Sequence, residues 1–188
     1  MSKLFIDYRN EFNCFDKFQR KIFFLTKNIV VTEIVYLSDN RSFIEKLATN
    51  EGFKIKKVES ASDADYAVIF KDQRDEVKEY DFSLNTKIKI INLNLTLVVN
   101  KDRGDKFDAY IGRGTIWGNP YQIGIDGDRD EVIRKYKYDF DKKFLKPFDD
   151  IENNIVSLQG KIIACHCKPY SCHGDIIADF INSIDDGE

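Results

Sequence analysis

The chain has 188 residues, 43% hydrophobic and 13% aromatic, which is apolar material enough for a folded core and excludes a disordered chain. Its formal net charge of −3 disfavours a protein that wraps duplex nucleic acid, since that function needs a basic surplus. No apolar run approaches the about 20 residues of a membrane span, and the N-terminal MSKLFIDYRNEF lacks the apolar core and cleavage site of a signal peptide. The expected compartment is therefore the cytoplasm, where thiols stay reduced.

The segment FIDYRNEFNCFDKFQRKIFFLTKNIVV reads as a strand followed by an amphipathic helix, with Cys14 as a small core residue of that helix. Glu33 to Leu37 is an apolar run and a strand. Ser38-Asp39-Asn40 supplies cap residues, and Phe43, Ile44 and Leu47 give helical spacing from Ser42 to Asn50, closed by Gly52. Phe53 to Val58 alternates as a half-buried strand does, and Ala64 to Phe70 and Lys87 to Leu93 are further strands. The charge run from Lys71 to Glu79 reads as a solvated helix face, as does the mixed-sign stretch around Asp141-Lys142-Lys143. This order predicts α/β architecture: a Rossmann-like open sheet over residues 1–94, packed on a smaller α/β domain over 95–188.

In that second half, Leu95 to Asn100 is a strand and Asp108 to Gly112 a short one. Three glycines and a proline in Gly112-Arg-Gly-Thr-Ile-Trp-Gly-Asn-Pro-Tyr121 require an ordered loop. Asp128 is an N-cap with Glu131 at the capping-box position, opening a long helix whose apolar face is Val132, Ile133, Tyr136, Phe140 and Phe144. Ile151 to Leu158 is a short helix and Lys161 to Cys165 a buried strand. The last helix starts at Gly174 or Asp175, with Ile176, Ile177, Phe180, Ile181 and Ile184 inward, and the Asp185-Asp-Gly-Glu188 tail is expected to fray.

The blocks YIGRGTIWGNPY (110–121) and IIACHCKPYSCHGDIIADFI (162–181), joined by IGIDGDRDEVIRKYKYDF (123–140), resemble the domain of unknown function 4326 family, which occurs in phages and bacteria. The resemblance covers about Leu95 to Ile184 and implies a fold and a site rather than a reaction. The family's cysteines correspond to Cys165, Cys167 and Cys172, followed by His173, Gly174 and Asp175; His166 departs from a common aromatic. The Cys-His turn is similar, more weakly, to the ending of an uncharacterised family numbered 488. The N-terminal half is similar to nucleotide-binding Rossmannoid domains of the lysine-decarboxylase-like kind. It has neither G-x-G-x-x-G nor G-x-x-x-x-G-K-[ST], so it reads as a degenerate version in which a ligand is not expected.

Cys165 to Asp175 holds three of the four cysteines and both histidines. Cys165, Cys167, Cys172 and His173 form a set that would suit zinc, although ligands crowded as C-x-C-x4-C-H depart from the usual two knuckles. Alternatively Cys172, where the chain enters a helix, is a thiol lowered by helix N–H groups, with His166 or His173 as base and Asp175 in support. A third reading makes the thiols packing residues and His173 a helix cap. In the loop, Gly112, Gly114 and Gly118 permit tight turning and close approach of a ligand, Arg113 suits phosphate, Trp117 could stack on a base, and Asn119 could read a base edge. The alternative is a structural loop with Trp117 as core plug.

Three functions follow. The first is a nucleotide- or nucleoside-processing enzyme, working by hydrolysis or transfer at a glycosidic or phosphate bond, with Cys172, His173 and Asp175 catalytic and Gly112, Arg113, Gly114, Trp117 and Asn119 binding. The second is a phage or bacterial binder that sequesters a nucleotide signal or docks on a partner protein. The third is a zinc-stabilised nucleic-acid-binding module. No cofactor other than zinc is suggested, and the expected partner is a nucleotide-like small molecule, not a membrane.

Overall fold

In β1 (Ser2–Tyr8), Leu4 and Ile6 point to one face and Phe5 to the other, and all three are buried, as a parallel sheet covered on both sides requires. The computed structural model describes residues 2–76 and 78–187. β1 pairs with β2 (Val31–Tyr36) and β4 (Tyr66–Asp72), β2 with β3 (Lys54–Lys57), and β4 with β5 (Lys87–Leu93), every pair parallel. The resulting order β3-β2-β1-β4-β5 is the expected Rossmann-like open sheet.

On the Tyr8 side, α1 (Phe15–Thr26) and α2 (Phe43–Glu51) cover the sheet through packed rings, Tyr8 and Phe70 meeting Phe18 at 5.5 and 5.2 Å between centroids. On the other side Phe5 meets the edges of Tyr80 and Phe82, carried by an irregular segment rather than a helix. α2 starts where Asp39 accepts hydrogen bonds from the N–H groups of Ile44 and Glu45, at 3.1 and 2.9 Å, and ends at Gly52, whose φ of 75° suits glycine. Cys14 is buried as expected, but it stands at the N-cap of α1, just outside the helix.

Two expectations need correction. The run Lys71 to Glu79 forms no helix among its described residues, and Val77 lies outside them. β4 continues to Asp72, whose fully buried carboxylate takes the Arg74 backbone N–H and guanidinium at 2.9 and 2.6 Å, closing a turn instead of exposing a charged face. The tail is not wholly frayed: Asp185 takes two guanidinium nitrogens of Arg20 at 2.7 and 2.9 Å, and Asp186 pairs with Lys17.

The sheet order reverses between β1 and β4, and ligands of open α/β sheets bind beyond the carboxyl ends of strands at such a point. Here the turn after β1 carries Arg9, whose guanidinium is held by Asp75 at 2.6 and 2.7 Å and by Glu11 at 3.1 and 3.2 Å. The glycine-rich turn is replaced by an ion-pair network, consistent with its absence from the sequence.

The chain divides into two compact units, one reaching Asn94 and including the end from Asp185, the other Leu95–Ile184. The second has a three-stranded parallel sheet in the order β6-β8-β7: β6 (Leu97–Asn100), β7 (Ala109–Tyr110) and β8 (Ile162–Cys165). Its helices are α3 (Arg129–Asp141), the short α4 (Ile151–Asn154) and α5 (His173–Ser183). The Asp128 carboxylate accepts the Glu131 N–H at 2.9 Å, but the Glu131 side chain turns to Arg134, so the cap is single rather than a box. α3 buries Val132, Tyr136 and Phe140 and stops before Phe144, which is exposed because the left-handed Lys143 (φ 59°) turns the chain away.

One buried polar group holds this unit together. Asn182 of α5 accepts the Thr96 N–H at 2.8 Å and donates to the Thr96 carbonyl at 3.0 Å, while the Thr96 hydroxyl bridges the Leu158 carbonyl and the Gly160 N–H. Among the described residues no helix is long and apolar enough to cross a membrane.

Candidate functional site

The site begins where β8 ends. Past Cys165 the chain crosses a turn pinned by the Asn100 side chain, which donates to the carbonyls of His166 (3.3 Å) and Lys168. The turn delivers Cys172 to the N-cap of α5, where its extended backbone (φ −149°, ψ 166°) returns the side chain toward β8. The Cys172 and Cys165 sulfurs are 3.3 Å apart, and both residues are buried. Asp175 accepts the Cys172 N–H at 2.9 Å and pairs with Lys168, so its carboxylate serves the helix cap.

His173 opens α5, and its Nε2 lies 2.8 Å from the Ile111 carbonyl. A carbonyl only accepts, so Nε2 is the donor in this contact. The ring also meets the edge of Tyr136 at 5.2 Å. Cys165, Cys172 and His173 thus bring three ligating atoms within 4.8 Å of one another. Cys167 stands outside that set because β8 ends before it; its N–H donates to the Cys165 sulfur at 3.2 Å. Of the four expected metal residues, three converge.

The Cys165 thiol shares a hydrogen bond with Cys172 at 3.3 Å and accepts the Cys167 N–H, and these contacts draw it down despite burial. The same shared bond, together with burial, pushes Cys172 up, so the two thiols titrate as a pair. Burial and the Cys165 charge hold Cys167 up as well.

These residues floor a cavity of about 250 Å³ whose walls include Gly112, Arg113 and Asn119 of the loop, Tyr110, Tyr121, Arg129 and His166. The glycine loop and the Cys-His turn therefore meet around one hollow. Gly114 and Trp117 do not line it: the Trp117 indole N–H donates to the Asn154 carbonyl at 2.5 Å and the ring packs on the core. Asp175 is also off the wall. Asn119 spends its amide on the Val132 carbonyl and the Tyr121 N–H, at 3.1 and 2.9 Å, and so shapes the loop. Arg113 is exposed and donates to the Tyr121 carbonyl at 3.2 Å. Arg129, Tyr110 and Tyr121 were missed as site residues, because nothing in their spacing shows that the start of α3 and the end of β7 face the Cys-His turn.

The loop's glycines are needed where its limbs touch. A Cβ on Gly118 would fall 2.8 Å from the Gly112 carbonyl oxygen and 3.0 Å from the Arg113 Cα; one on Gly112 would overlap the Tyr110 ring. Gly118→Ala is expected to destabilise the second unit by about 1–3 kcal/mol through this backbone clash. An unchanged urea midpoint would show that the limbs do not meet.

The Minimal SLOG domain model matches residues 1–99, and the Domain of unknown function (DUF4326) model matches residues 98–183. The chain belongs to the minimal SLOG family in its first half and to the DUF4326 family in its second, so the first unit has a nucleotide-related, Rossmann-like fold. Over 91 residues it is 42% identical to the uncharacterized 12.4 kDa protein in the nrdA-td intergenic region of Enterobacteria phage T4, covering 48% of this chain and 81% of that protein. No solved structure matches the chain significantly.

Proposed function

We propose that the second unit binds a nucleotide or nucleoside in this cavity and acts on it by hydrolysis or transfer at a glycosidic or phosphate bond. The observation that carries this reading is one hollow walled by two arginines and two tyrosines and floored by thiols and an imidazole. Arg113 and Arg129 would take the anionic end, and the Tyr121 or Tyr110 ring would lie against the base. That arrangement brings the bond to be broken over Cys165, Cys172 and His173. The nucleotide-related fold of the first unit agrees with the ligand class, while the turn after its β1 carries Arg9 paired with Asp75 and Glu11 in place of a glycine-rich loop.

A second reading, a binder that sequesters a nucleotide unchanged, is favoured by the 1% exposure of both Cys165 and Cys172, which limits direct attack by either sulfur. The full chain should be incubated with NAD, ADP-ribose, nucleoside monophosphates and cyclic nucleotides, following melting temperature and recovered ligand by mass spectrometry. Conversion supports the enzyme, and a melting shift with intact ligand supports the binder. Neither effect across the panel ends both.

A further inference from the structure

We infer that Cys165, Cys172 and His173 hold a single zinc ion whose fourth coordination position opens into the cavity. Two thiolates and an imidazole are the donors zinc prefers, and a three-residue set with one open position is the arrangement of catalytic rather than structural sites. Three observations carry the assignment.

The first is convergence. The ligating atoms lie within 4.8 Å of one another, and this is the one such Cys/His grouping among the described residues. Zinc with Zn–S bonds of about 2.3 Å would set two thiolates about 3.8 Å apart in a tetrahedron. The sulfurs stand at 3.3 Å, close to that spacing. Adjacency of Cys172 and His173 is no obstacle, because Cys172 is extended while His173 is already helical, and both reach one point.

The second is the outer support of the histidine. Metal-bound imidazoles donate their other N–H to a carbonyl or carboxylate, which fixes ring and tautomer; His173 does so to Ile111 at 2.8 Å. Gly174 lets this corner close: a Cβ there would stand 2.8 Å from the Ile111 side chain and 3.2 Å from the Cys172 sulfur.

The third is the position of the set. All three residues are nearly fully buried and are among those that line the cavity. Cys167 is not among the three convergent atoms, although its thiol reaches Cys165 and lines the cavity, so its replacement decides whether water or this thiol takes the fourth position. Metal binding stands independently of the nucleotide reading; that the nucleotide approaches the open position rests on it.

The test uses the full chain purified under reducing conditions without a metal-affinity tag. Elemental analysis is expected to find about one zinc per chain. After chelation, Co(II) should restore the strong visible bands of four-coordinate cobalt with thiolate charge transfer, and AMP should perturb them. Cys165→Ser, Cys172→Ser and His173→Gln should each weaken metal binding by more than about a hundredfold, and Cys167→Ser should not. Should a variant fail to fold, the cobalt titration of the wild-type chain still decides. Metal-free protein that takes up no cobalt, or a Cys165–Cys172 disulfide in the reduced preparation, overturns the site. Equal loss in Cys167→Ser, or cobalt bands blind to every nucleotide that shifts the melting temperature, overturns the open position. A nucleotide-induced melting shift in a chain that takes up no metal removes this inference and leaves the nucleotide reading standing; metal uptake with no nucleotide effect does the reverse.

Discussion

Replacing Arg113 and Arg129 together by alanine is expected to weaken nucleotide binding by at least a hundredfold while leaving the second unit folded. A hydrogen bond from a guanidinium to an anion is worth about 1.5–3 kcal/mol, so losing two removes about 3–6 kcal/mol, and each 1.4 kcal/mol is about tenfold in affinity. The structural cost should be small. Arg113 gives up one 3.2 Å bond to the Tyr121 carbonyl, and Arg129 a long 3.4 Å contact to the Ser171 carbonyl and its stacking on Tyr170. Calorimetric titration beside circular dichroism checks both halves, and binding by wild-type protein should weaken with added salt. A double variant that binds normally means the anion lies elsewhere. If Arg113→Ala alone unfolds the unit, the loop is structural and the pocket reading fails.

Asn182→Ala should cost the second unit about 2–4 kcal/mol. The loss leaves the Thr96 N–H and carbonyl buried without partners, each worth about 1–3 kcal/mol when unmet. Asn182→Asp should not rescue it, because the second carboxylate oxygen would face the Thr96 carbonyl. Urea unfolding followed by near-ultraviolet circular dichroism reads the effect, and a loss below about 1 kcal/mol would mean water or repacking meets those groups.

The contrast between these two regions shows what a linear pattern can reveal. The strands of the first unit announce themselves as short apolar or alternating runs bounded by turn residues; β5 is read to the residue and β4 is displaced by two positions. The loop from Gly112 and the α5 start were legible through glycine spacing and the Cys-His cluster. Asn182 was not: it sits among Ile177, Ile181 and Ile184 on a helix face that reads as wholly apolar, and its partner lies 86 positions away. Trp117 misled for a related reason, since an indole suits a base and a core equally, and its N–H partner on Asn154 is 37 positions away. The Lys71 to Glu79 run misled because a buried carboxylate that closes a turn has the same letter as a solvated one.

Local periodicity and residue chemistry, carried in the sequence alone, determined the α/β class, the missing phosphate loop in the first half, and the eleven residues where the thiols and imidazoles gather. Tertiary structure decided which of those groups meet. The Cys165 and Cys172 sulfurs meet, Cys167 falls outside the three convergent ligating atoms, and Arg129 joins the wall, because β8, the loop and the starts of α3 and α5 converge there. Convergence of this sort depends on contacts between residues distant in the chain, which spacing along the sequence does not encode.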